Sequence, residues 1–200
     1  MIKKILLMAV TLIGLQAEEL SKEYPIVNGY IQQYKGDRSL SESKKLLKEQ
    51  CFINANKFIY DDDKKVEMVF DIKKSDVLKG MKNKKVKIAN FNKALESLES
   101  CVKQTKNPIA AWEGMYIINS YFGLNNKENI ATYKILSKVL YKDKSCDGYI
   151  SQGKLYDEGY GVKPNKKKAL KIYTEGTKRC TSTWHKIIFE MKINNIKSRK

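Results

Sequence analysis

Three serine–lysine pairs stand at the spacing that places a lysine one helical turn beyond a serine: Ser41/Lys44, Ser100/Lys103 and Ser151/Lys154. A serine acyl-enzyme of the β-lactamase or penicillin-binding type needs that S-x-x-K pair, together with K-T-G and S-D-N elements. Neither companion element occurs here, and in a chain this rich in lysine such pairs arise by chance. His185 is the only histidine, so the chain cannot supply the several imidazoles of a metallo-hydrolase. There is no G-x-S-x-G, P-loop or H-E-x-x-H string. The residues therefore name no catalytic group and no metal ligand set, imply no cofactor, and lean away from an enzyme.

The remaining reactive side chains are Cys51, Cys101, Cys146 and Cys180, an even set without a C-x-x-C pair. The chain opens with a basic Lys3-Lys4, an uncharged run from Ile5 to Leu15, and Leu15-Gln16-Ala17. That order reads as a secretory signal peptide, residues 1–17, cut after Ala17, with no cysteine placed for a lipid anchor. No later run is long and apolar enough to span a membrane. An exported chain with an even cysteine count is expected to form disulfides. The expected location is therefore periplasmic or secreted.

The formal net charge is +17, carried almost wholly by lysine, with only Arg38, Arg179 and Arg199. Base readout favours the arginine fork, and the lysines are scattered among acids. Export and this pattern argue against a nucleic-acid partner. They fit a solvated lysine-rich surface.

The elements that must position these residues are helices. Ala169, Ile172, Tyr173 and Gly176 fall on one stripe, behind an Asn165 N-cap and a Lys163-Pro164 step that bars an earlier start. Tyr149, Gly153, Tyr156 and Tyr160 make a preceding stripe, which Gly159 and Gly161 end. Gly153 inside a helix is expected where another backbone comes close, with Ala169 as its partner. In such an antiparallel pair the start of one helix lies beside the end of the next. Cys146 and Cys180 occupy those places, and Cys51–Cys101 follows by elimination from three connectivities.

The residues Gly153, Leu155, Tyr156, Gly159, Gly161, Val162, Asn165, Lys168, Ala169 and Tyr173 follow a string that resembles the Sel-one-like repeat (SLR), a relative of the tetratricopeptide repeat. The resemblance extends to the exported, cysteine-bearing members of Helicobacter-like bacteria, although their cysteines usually join one repeat to the next. It implies an all-α fold, an α-solenoid of stacked antiparallel helix pairs. Residues 107–145 fit a second unit, with Gly114 matching Gly153 and Ala131 matching Ala169. Its first stripe is Ala111, Met115, Ile118 and Phe122, and its second Ala131, Ile135 and Val139. Residues 106–180 thus hold two helix pairs. Residues 181–200 hold a capping helix, with a Trp184, Ile187, Ile188, Met191 stripe that leaves His185 exposed, and a charged tail.

Residues 18–105 read as divergent helical repeats. Helices are expected over Ile26–Tyr34, Leu40–Cys51 and Asn92–Cys101. The alternation of Val66, Met68, Phe70 and Ile72 keeps a short hairpin open between them.

The resemblance implies a scaffold for a protein or peptide partner of the cell envelope. Some relatives carry a β-lactamase or penicillin-binding label, so that activity, or a role as a secreted effector, is the alternative. In SLR solenoids the first helix of each pair lines the concave face. Trp112, Tyr116 and Asn119 make one row there, either as a binding surface or packed on the neighbouring repeat.

Overall fold

A computed structural model describes residues 45–46, 48–56, 58 and 84–199. The expected signal peptide, the Ile26–Tyr34 helix and the Val66–Ile72 alternation lie outside the described residues. Those described are helical, without a strand among them: α1 (Gln50–Asn56), α2 (Lys84–Thr105), α3 (Pro108–Ile117), α4 (Lys127–Lys142), α5 (Cys146–Glu158), α6 (Lys166–Arg179) and α7 (Thr183–Ser198). A π turn, Ile118–Phe122, continues α3. No described helix is long and apolar enough to cross a membrane. The helix read as Leu40–Cys51 is interrupted: Lys45 and Leu46 are helical, the chain turns at Lys48, and α1 begins at Gln50.

From α1 to α7, each helix packs on its neighbours in the chain, and α2 also touches α4, as α5 touches α7. The starts and stops follow local chemistry. Asn107 caps α3 by accepting from the N–H groups of Ile109 and Ala110, with Pro108 in the first turn, where a missing N–H costs nothing. Asn126, Ser145 and Asn165 cap α4, α5 and α6 in the same way. Gly159 closes α5 in the left-handed region at φ 79°.

Two apolar clusters form. The first joins α1 to α4 through Phe52, Leu98, Val102, Ile109, Ile117, Leu136 and Leu140. The second joins α5, α6 and α7 through Tyr149, Ile172, Tyr173 and Phe189. At the seam between them, a Cβ added to Gly148 would stand 2.4 Å from the Leu140 carbonyl. Only hydrogen fits there.

The Asn92–Cys101 stripe is buried as read, at Ala94, Leu95 and Leu98, and so is Ala169, Ile172, Tyr173 and Gly176. Ala111, Met115 and Ile118 are buried, with Phe122 packed at the edge. Both disulfides exist as paired, Cys51–Cys101 and Cys146–Cys180, and no described cysteine is free.

Four readings need correction. Ala131 is exposed, and α4 turns Thr132, Tyr133, Leu136, Ser137 and Leu140 inward instead. Gly114 seats the end of Leu136, 22 positions on, whereas Gly153 faces Tyr173, 20 positions on, so Thr132 and not Ala131 holds the place of Ala169. Second, Gly153 receives the Tyr173 ring, not Ala169; a Cβ there would lie 2.1 Å from the ring edge. Third, α7 is rotated from its most apolar stripe. Trp184, Ile187 and Met191 are exposed, and His185, Phe189 and Ile196 are buried. The cause is Gly176, which leaves a recess on α6 that the Phe189 ring fills. That rotation makes the fourth correction: His185 is only 3% exposed.

Candidate functional site

The sequence row Trp112, Tyr116 and Asn119 lies on one side of α3, where the chain forms a cleft of about 220 Å³. Met115 and Tyr133 continue its wall. Asp147, Ile150 and Ser151 come from α5, and Trp184 and His185 from the start of α7. α3 with its π turn, α5 and α7 thus converge on it, and α4 contributes Tyr133.

The indole and phenol of Trp112 and Tyr116 stack, with centroids 5.8 Å apart and planes 19° apart. One helical turn sets that spacing. Both are half-buried, and Asn119 is exposed. Across the opening stands Trp184, 67% exposed.

Asp147 ties the three helices together. The Trp112 indole N–H donates to its Oδ2 at 2.9 Å. Its Oδ1 lies 3.5 Å from His185 Nε2, an ion pair whenever the imidazole is protonated. His185 Nδ1 is buried without a hydrogen-bond partner among the described residues. The Tyr133 phenol is pushed up, by burial first and then by the negative charges of Asp147 and Glu158 and the Tyr160 phenol. It is a neutral phenol at any physiological pH.

The glycines and alanine singled out for structure behave as spacers around this cleft. Gly114 and Gly153 let α4 and α6 approach the helices that line it. Gly159 and Gly161 shape the α5–α6 turn, and Ala169 is fully buried beneath it. The Cys146–Cys180 disulfide joins the first residue of α5, next to Asp147, to the end of α6.

Neither described serine–lysine pair is arranged for acyl transfer. Ser151 lines the cleft, but its Oγ accepts from Ser137 Oγ and donates to the Gly148 carbonyl, while Lys154 sits 5.5 Å over the Tyr160 ring. Ser100 accepts from Gln104, and Lys103 pairs with Glu99. The candidate metal cluster among the described residues, Glu49 with Cys51 and Cys101, has both sulfurs in the disulfide.

Sequence reading missed Asp147, Ile150, Trp184 and His185 as members of the site. The signal for the last two was Gly176 facing a single phenylalanine, Phe189, which fixes the rotation of α7. No family model, curated protein or solved structure matches the chain.

Proposed function

We propose that the chain is an exported helical-repeat scaffold of the SLR kind, built as an α-solenoid, that binds an extended segment of a cell-envelope protein in the Trp112–Trp184 cleft. The carrying observation is the convergence there of two tryptophans, Tyr116 and Asn119 from alternate helices around an exposed opening. Tryptophan and tyrosine supply large contact area with a polar tip, and they dominate binding energies at interfaces.

Two further observations support the solenoid. A glycine on the first helix of each pair seats a large side chain from the second, Gly114 with Leu136 and Gly153 with Tyr173. The α2–α4 and α5–α7 contacts carry the packing one helix further, as stacking of pairs requires. The two disulfides support export.

The test is a library of unstructured decapeptides displayed against the oxidised chain. The wild-type chain retains a defined subset, and Trp184→Ala weakens that retention about ten-fold or more with the melting temperature nearly unchanged. Equal retention by Trp184→Ala, or no retained peptide, removes the reading.

A further inference from the structure

We infer that the cleft recognises a cationic side chain, the ammonium or guanidinium of a lysine or arginine on the bound segment. This rests on the peptide-binding reading above. The chain carries 39 lysines and arginines, yet none of them is among the residues that line the cleft. An acid, Asp147, does line it, with its side chain 28% exposed.

A carboxylate has about four acceptor sites. Trp112 takes one, and His185, whose Nε2 lies 3.5 Å from Oδ1, takes at most one more. The rest are open to a donor that enters from the cleft. A cation there gains a charge-assisted hydrogen bond and the exposed ring of Trp184. Met115 and Ile150 offer apolar wall to its methylene stem. The volume, about 220 Å³, suits one side chain and not a folded surface.

The alternatives fit less well. An acidic anchor would meet Asp147 with like charge. An apolar anchor would strip water from Asp147 and return no hydrogen bond. The net charge of +17 repels a cation at long range, but salt screens that repulsion beyond about 10 Å, whereas contact with Asp147 and the rings is short-range.

Trp112 and Trp184 are the two tryptophans of the chain, so its tryptophan emission reports on the cleft. The experiment titrates the oxidised full chain with n-butylammonium, n-butanol and butyrate at constant ionic strength. The ammonium is expected to half-saturate the emission change at about ten-fold lower concentration than the alcohol, with butyrate weakest. Asp147→Asn abolishes the difference between ammonium and alcohol, and Glu190→Gln, on the exposed side of α7, preserves it. Should Asp147→Asn melt early, Trp184→Leu serves instead: this exposed position keeps the alcohol response and loses most of the ammonium preference. An alcohol response equal to or stronger than the ammonium response overturns the inference, as does an absent ammonium response. If peptides are still retained in that case, the cation assignment alone falls. A chain that binds neither peptides nor ammonium loses both readings.

Discussion

The pairs α3–α4 and α5–α6 use one device at two tolerances. In α5–α6 a glycine faces an aromatic ring that is fully buried, so Tyr173 has nowhere to swing. In α3–α4 the matching glycine faces the end of Leu136, 2.9 Å from where a Cβ would stand. The pairs differ in closure too. A disulfide ties the open end of α5–α6, while α3 is held between α2 and α4 and has buried residues almost all round. α4 and α7 flank the α5–α6 pair, so the disulfide adds to packing that already encloses it.

The largest break in that comparison is removal of the tie. Replacing Cys146 and Cys180 with serine frees a 34-residue separation and should cost roughly 3–4 kcal/mol in chemical denaturation. A loss below about 1 kcal/mol would mean that packing alone holds α5 to α6. Next comes the glycine contrast. Gly153→Ala should cost about 3 kcal/mol, because the Tyr173 ring cannot move, and Gly114→Ala about 1 kcal/mol, because a leucine methyl can turn aside. Equal losses would erase the difference between the pairs.

The smallest effect is titration. Burial, and then the charge of Glu175, push the Tyr149 phenol up to about 12, and Tyr173 is raised too, mainly by burial. Both lie in the second apolar cluster. The folded state holds these protons more tightly than the unfolded chain, whose tyrosines titrate near 10. Stability is therefore fully present below pH 10 and falls as pH rises toward 12. Melting temperatures measured from pH 8 to 11.5 should be flat at first and then decline. A curve that stays flat to pH 11.5 would contradict this.

The helices after Asn92, the ends around the α5–α6 turn and the α6 face could be read because each rests on local spacing: Asn165 before Lys166, glycine after Glu158, Ala169 with Tyr173. The two misread faces, on α4 and α7, were decided by a neighbour. The α7 stripe of Trp184, Ile187 and Met191 is more apolar than His185, Phe189 and Ile196, and it lost because the recess at Gly176 accepts a phenyl ring. The cleft was legible only along α3. Periodicity reports which residues share a face of one helix, and it carries no information on residues such as Asp147 and Trp184 that arrive from others.

Asn107 divides its side chain between two tasks. Its oxygen caps α3, and its amide nitrogen donates to the Leu46 carbonyl and to Glu49 Oε2. The same contact that starts α3 therefore holds the approach to α1 at the corner where α2 ends, a few residues from Cys51 and Cys101. Wherever that corner is closed, two thiols 50 residues apart in the chain stand together, so the contact favours the native bond over the other pairings.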